Sequence, residues 1–248
     1  MDWGRAKNIL IFAFLLLNIV LGYQLWQELD DRMSTEMDWT SLSEETRQNM
    51  ELHNIQVATK IPTDTPELSN IEYRLVKRDR EMVPLKTPRD SKVVFSQQEM
   101  QRTFKDEIEH VEQYSHDQKL FDEKVFVLHQ QMTNGLPLFD VTLKLRFSDQ
   151  KITHYEQNYA IVVTKTAAKA QKIIHASQAL STVIENNLSP GSVVKDIRLG
   201  YHGTFPLYDS EQQLAGPTWR ILLENGEVYY FNAIQGGVDS SQGKKEKE

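Results

Sequence analysis

The chain has no cysteine among its 248 residues. That excludes a disulfide framework, a thiol nucleophile and Cys-ligated zinc. Basic charge is also in deficit: 28 Lys and Arg stand against 35 Asp and Glu, a formal net charge of −7. The first 25 residues hold Arg5, Lys7 and Asp2, so the remainder is more acidic still. Such a body does not attract nucleic acid or anionic polymers by charge. Catalytic signatures are missing too. There is no Gly-x-Ser-x-Gly, no His-Glu-x-x-His and no glycine-rich phosphate loop. Ser148 with Lys151 and Ser192 with Lys195 have Ser-x-x-Lys spacing, but one pair spans a predicted hairpin turn and the other enters a predicted strand. The companion motifs of that chemistry, Ser-Asp-Asn and Lys-Thr-Gly, do not occur. Long apolar runs are absent with one exception, Ile9 to Leu25.

That run organises the chain. At about 1.5 Å per residue its helix would be roughly 26 Å long, close to the ~30 Å of a hydrocarbon core. Arg5 and Lys7 precede it, and Glu28, Asp30 and Asp31 come before the first basic residue beyond it, Arg32. Positive charge on the N-terminal side keeps that end in the cytoplasm. Trp3, Tyr23 and Trp26 sit at its edges, where amphipathic rings are favoured. A cleaved signal peptide would need a small-x-small site, whereas the chain reads Gly-Tyr-Gln-Leu-Trp-Gln. The expectation is therefore an uncleaved single-pass anchor over residues 9–26, with residues 1–8 cytoplasmic and the rest extracellular. Leu15, Asn18 and Gly22 share one helix face. Either a lone amide is tolerated there and Gly22 is interfacial, or this face binds another membrane helix.

Beyond a polar stalk at 27–40, helical and strand patterns alternate. Ser41 and Glu44 have capping-box spacing before a short helix to Leu52, and Ser96 with Glu99 repeats it. Met100, Phe104, Ile108 and Val111 then predict an amphipathic helix from Gln97 to about His116. Ile71 to Val76 predicts a strand, and the charged stretch Arg78 to Asp90, with two prolines, a surface loop. Strands are expected at Lys124–Met132, Leu138–Phe147 and Lys151–Val163, joined by turns at Asn134-Gly135 and Asp149-Gln150. Ala167 to Asn187 fits one long helix, or a connector and a helix from about Ser177. Strands follow at Val193–Leu199, Thr218–Glu224 and Glu227–Ala233, with a loop at Thr204–Gly216 and a hairpin turn at Asn225-Gly226. The charged tail after Gly237 is expected to be disordered.

The two hairpins superpose at one constant offset. Leu143, Leu145, Ile152 and Tyr155 match Trp219, Ile221, Val228 and Phe231, and Phe104 and Ile108 match Leu180 and Ile184. A duplicated unit of helix, strand, strand, strand explains this, each helix covering the apolar face of a small antiparallel sheet. The expected fold class is α+β: one membrane helix and an ectodomain of two such modules, 41–165 with its N-terminal extension and 166–237, before the tail 238–248. The seven histidines do not cluster. Glu107, His110, Glu112 and His116 make the nearest approach to a metal set, but they lie on one predicted helix with no second element to complete it. No catalytic, cofactor-binding or metal residues are expected.

The chain resembles the YycI family of exported, single-span regulators of Gram-positive bacteria. The resemblance rests on MDWGRAKNILIFAFLLLN (Met1 to Asn18), NIQVATKIP (Asn54 to Pro62), IRLGYHG (Ile197 to Gly203) and GPTWRILLENGEVYYFNAIQG (Gly216 to Gly236). It implies a regulator, not an enzyme. Its partners would be a sister membrane protein, YycH, and the sensor histidine kinase of a Walk-type two-component system that controls cell-wall metabolism. It implies kinase contact partly through the membrane helix, which falls on Ile9 to Leu25 and, within it, on the Leu15, Asn18 and Gly22 face. It also implies PepSY-like helix-on-sheet modules in the ectodomain. The alternative is a membrane-tethered binding or inhibitor domain acting on a wall hydrolase or peptidase.

Overall fold

The computed structural model describes residues 7, 11–23, 41–79, 81–120, 122–163, 169–206 and 212–241. Its helices are α1 (residues 11–23), α2 (Glu44–His53), α3 (Gln97–Phe104) and α4 (Ala176–Asn186). Its strands are β1 (Gln56–Val57), β2 (Glu67–Leu68), β3 (Ile71–Arg78), β4 (Val83–Asp90), β5 (Tyr114–His116), β6 (Val125–Gln131) and β7 (Pro137–Ser148). They continue with β8 (Lys151–Val162), β9 (Gln171–Lys172), β10 (Val193–Pro206), β11 (Gln212–Leu223), β12 (Val228–Asn232) and β13 (Val238–Ser241). The class is α+β, and among the described residues most strands, 11 of them, form one sheet.

Two helix-on-sheet halves are visible, each with its own core. In the first, Met100 and Phe104 of α3 bury against Leu128 of β6, Leu143 and Leu145 of β7, and Ile152 of β8. In the second, Leu180, Val183 and Ile184 of α4 bury against Val194 of β10, Trp219 and Ile221 of β11, and Phe231 of β12. The residues matched by the repeat thus occupy equivalent places, apart from Val228, which is only partly buried, and Ile108, which is buried just beyond the end of α3 whereas Ile184 lies within α4. Full burial of one such side chain is worth about 1.5–3 kcal/mol. α2 lies on α4, where Thr46 Oγ1 donates to Glu185 Oε1 at 2.7 Å.

A third, smaller core sits between the halves. Strands β10, β11, β3, β8 and β7 are hydrogen-bonded in that order, and β7 returns to β10 through a parallel contact of Tyr201 with Leu138. The sheet therefore closes on itself as a ring. Each of the five strands sends a residue inward: Tyr73, Leu138 and Val141, Ala160, Tyr201, and Ala215. The alanines make room for the two tyrosines, the alternation of small and large that fills a narrow barrel.

Several elements differ from expectation. α3 ends at Phe104, not near His116. The apolar spacing continues, and Ile108, Val111 and Tyr114 are buried. Tyr114 to His116, however, pair with Leu128 to Gln130 as an edge strand, and sheet pairing overrides helical periodicity there. The stretch Arg78 to Asp90 is not a loop. Its second part is β4, paired to β8 at Val83, Pro84, Arg89 and Asp90 and shifted in register between them. Prolines are tolerated because β4 is an edge strand. The cap of α2 is Ser43, whose hydroxyl accepts from Thr46 N–H at 3.1 Å, rather than Ser41. β10 and β11 extend into the predicted 204–216 loop, pairing Phe205 with Leu214 and Pro206 with Gln213. The start of the expected tail, Val238–Ser241, is a strand on β12. The predicted stalk at 27–40 and tail residues 242–248 lie outside the described residues, as do residues 9, 10 and 24–26 of the expected membrane span.

Elsewhere the spacing held. Ser96 caps α3, accepting from Glu99 N–H at 3.4 Å. The Asp149-Gln150 turn is tight, with φ of 50° and 61°, and Gly135 and Gly226 take left-handed φ of 77° and 87° at the other two turns. α4 begins at Ala176, as the connector-then-helix alternative expects.

Candidate functional site

The predicted partner face lies on α1. Every described residue of this helix is exposed. Leu15 and Asn18 line one surface recess together with Ile11, Phe14 and Ile19. Gly22 lies one turn on, and a Cβ added there would meet nothing within 4 Å. Among the described residues no helix is long and apolar enough to cross a membrane. Of the predicted histidine-carboxylate set, His110 Nδ1 and Glu112 Oε1 stay 3.7 Å apart, but the others separate because the helix that would have grouped them stops early. His110 stacks on Tyr159 with centroids 4.3 Å apart, His116 sits edge-on to Phe95 and Phe126, and the Glu107 carboxylate accepts the Lys86 N–H. Among the described residues no three His, Asp or Glu side chains converge as metal ligands would. Ser148 and Lys151 face each other beside the Asp149-Gln150 turn, and Ser192 Oγ donates to Ser189 O at 2.7 Å.

The chemistry in the body gathers where the two halves meet. It starts from a bulge in β7. His129 pairs with Thr142 and Gln130 with Leu138, so Phe139, Asp140 and Val141 are extra residues on β7. A bulge re-aims the side chains it carries. This one points Val141 into the ring and presents Phe139 and Asp140 to β10. The ladder lost beside it is replaced by a side chain. The Gln130 amide donates to Ala160 O and accepts from Ala160 N–H, both at 2.9 Å.

On the other side of the joint, β11 is buried on both faces from Ala215 to Leu223. Trp219, Ile221 and Leu223 face α4, which leaves Arg220 turned to the first half. Its guanidinium donates from Nη1 to the Asp117 carboxylate and from Nη2 to Asp196 Oδ2 at 2.9 Å. It also lies 5.0 Å from the Phe139 ring centroid, a cation–π distance. Asp117 is fully buried and Arg220 is 1% exposed. Lys119 N–H donates to Asp117 Oδ1 at 3.1 Å, and Arg198 Nη1 lies 3.6 Å from Oδ2. His129 Nε2 is 3.4 Å from the same oxygen but is not aligned as a hydrogen bond. Burial alone would push the Asp117 carboxyl up. The neighbouring His129 ring and the Arg220 and Arg198 charges outweigh it and hold the group well below the usual carboxylate range. Arg220 is also opposed by burial, and Asp117 and Asp196 overcome that to favour its charged form further.

A second polar group lies nearby. His202 stacks on Tyr230 with centroids 3.9 Å apart, and its Nδ1 is 2.7 Å from Asp140 Oδ1. Asp140 Oδ2 accepts the Gly203 N–H at 2.6 Å. Burial is the main reason the Tyr230 hydroxyl is pushed up to about 12, so it stays protonated. Two glycines let these strands meet. A Cβ on Gly200 would lie 2.5 Å from the Phe139 ring and 2.7 Å from Pro137 O, and one on Gly203 would lie 3.0 Å from the Tyr73 hydroxyl.

The residues quoted from the C-terminal part for the family resemblance therefore have specific work here. In IRLGYHG, Arg198 approaches Asp117, Gly200 admits Phe139, Tyr201 fills the ring, His202 meets Asp140, and Gly203 binds it. In the second stretch, Trp219 Nε1 donates to Ile174 O at 2.8 Å and Arg220 is the central cation. Their first-half partners, Asp117, His129 and Asp140, carry no signature in the sequence. The one legible hint was Arg220 itself, a charge inside the otherwise apolar run Trp219 to Leu223.

No curated protein matches the chain. Among solved structures, an uncharacterized protein from Eubacterium rectale ATCC 33656 is 14% identical over 47% of this chain and 37% of its own, with a TM-score of 0.28. The Bacillus megaterium YpeB C-terminal domain is 12% identical over 81% of this chain and 98% of its own, with a TM-score of 0.36. The chain thus spans only 37% of the first of these structures. The YycI protein family matches residues 77–234, a range that includes α3, α4, the bulge of β7 and every residue of the Asp117–Arg220–Asp196 cluster, and the chain belongs to that family.

Proposed function

We propose that the chain is a membrane-anchored, extracytoplasmic regulatory protein that modulates a sensor histidine kinase of a two-component system controlling cell-wall metabolism, in complex with a YycH-like membrane protein. The observation that carries this reading is family membership over residues 77–234. On it, residues 9–26 cross the membrane, residues 1–8 are cytoplasmic, and a stalk at 27–40 leads to two PepSY-like modules at 41–165 and 166–237 outside the cell. The protein acts by binding, and a binder shifts a kinase only by preferring one of its states. The Leu15, Asn18 and Gly22 face of α1 is the contact within the bilayer. Its exposure and its pairing of an amide with a glycine support that role, since such residues favour close helix–helix approach.

The test replaces residues 9–25 with an unrelated membrane helix of equal length and reads kinase-dependent transcription. We expect the output to match that of a deletion strain while the body is still exported and folded. Wild-type output from the swapped chain would overturn the helix assignment, and wild-type output from the deletion strain would overturn the regulatory function. A wall hydrolase or peptidase recovered by residues 41–248 alone would favour a tethered inhibitor instead.

A further inference from the structure

A cavity of about 330 Å³ opens beside the ring, between the two halves. Its polar lining, among the described residues, is Tyr73 and Arg78 of β3, Asp140 of β7, Asn158 of β8, Gly203 of β10 and Gln213 of β11. Among the described residues, three of these side chains have polar groups with no protein partner. Arg78 is exposed and makes no ion pair among the described residues, and the Gln213 amide makes no hydrogen bond among them. Asn158 Oδ1 is buried and accepts nothing. Buried polar atoms are nearly always satisfied, and one left open at a cavity wall asks for a donor. Asp140 already accepts from Gly203 N–H at Oδ2 and has His202 Nδ1 2.7 Å from Oδ1, but a carboxylate has about four acceptor positions and keeps capacity for another. Burial and the nearby Asp140 raise the Tyr73 hydroxyl, so it remains a donor.

The wall therefore has two chemical ends. Asp140 and Asn158 Oδ1 accept, and suit a cation with several N–H groups. Arg78, with the Gln213 amide and the Tyr73 hydroxyl, donates, and suits a carboxylate. We propose that this cavity binds a free α-amino acid, its ammonium at Asp140 and Asn158 and its carboxylate at Arg78. The volume lies at the low end of ligand pockets, where a molecule of this size fits. A second recess adjoins it, sharing Arg78 and Asn158 and reaching the Lys144–Glu156 pair, and gives a side chain somewhere to go. Because β3, β7 and β8 form one wall and β10 and β11 the other, the bound molecule bridges the halves and favours the closed ring.

The test titrates the full chain, reconstituted in lipid nanodiscs, with a panel of L- and D-α-amino acids by calorimetry. At least one should bind saturably below about 1 mM. Its N-acetyl form lacks the ammonium and its amide lacks the carboxylate, and each should bind about tenfold more weakly or worse, the worth of one charge-assisted hydrogen bond. Arg78→Gln and Gln213→Ala lie at the rim and leave the fold intact. The first should weaken binding about tenfold and the second severalfold, with circular dichroism unchanged. No saturable binding across the panel overturns the proposal, as does equal binding of the blocked forms or indifference to Arg78→Gln. The measurement involves no kinase, so its failure and that of the regulatory reading are distinguishable.

Discussion

Asp117 and Arg220 are 103 residues apart in sequence and bonded in the body. A buried pair of this kind adds little net stability over apolar residues of the same shape, but removing one partner leaves a stranded charge and costs about 3–5 kcal/mol. Arg220→Met should therefore destabilise by that amount, and Arg220→Met with Asp117→Leu by less, the remainder reflecting Asp196, which also loses its cation, measured by denaturant midpoints at constant slope. The pair also sets an acid limit. The folded carboxyl of Asp117 titrates below its unfolded value, so the stability it contributes is fully present above that value. It is lost as pH falls below about 4, the ordinary range of a carboxylate. The melting temperature of the wild type should fall through that range, and Asp117→Asn should start lower and fall less steeply. Little of this could be read in the sequence. Arg220 stands out in its apolar run, but Asp117 follows a stretch that reads as a charged helix surface, and no spacing rule connects the two.

At the scale of elements, local patterns were legible wherever one face of a helix or hairpin meets one core. The Ser96 cap, the alternation of Leu143 and Leu145, the three turns and the repeat that relates the two hairpins all follow from period and turn chemistry. Patterns failed where non-local pairing decides. The helix predicted to His116 gives way because β5 completes an edge of β6, and β4 forms despite Pro84 and Pro88 because β8 has a free side there. The bulge at Phe139 to Val141 has no signature of its own, yet it carries the contact between β7 and β10. That contact depends on Gly200, because a Cβ would meet the Phe139 ring at 2.5 Å and a backbone oxygen at 2.7 Å. Backbone cannot swing aside as a side-chain end can. Gly200→Ala should cost about 1–3 kcal/mol, the usual penalty of overpacking. Gly200→Ala with Phe139→Leu should recover only part of it, since Pro137 O stays in place. Denaturant titrations of the two variants check both values.

At the scale of the whole molecule, the described residues form three cores along one sheet, and the middle one belongs to neither half. Two independent modules on a flexible joint would open separately. Here the ring, the buried cation and the paired backbone tie them, so the halves should unfold together. Hydrogen exchange under rising denaturant should release the amides of β7–β8 and of β11–β12 at one common midpoint, and separate midpoints would show that the joint is weak. The ring also has a consequence for synthesis. A ribosome delivers the chain from its N-terminus, and β3, β7 and β8 are complete by residue 162, whereas β10 and β11 end at 206 and 223. Until those arrive, Tyr73 and Leu138 have no cover, Asp117 has no cation, and one edge of β3 lies bare. The first half therefore waits, half-built and prone to pairing with strangers, until β10 and β11 have been made.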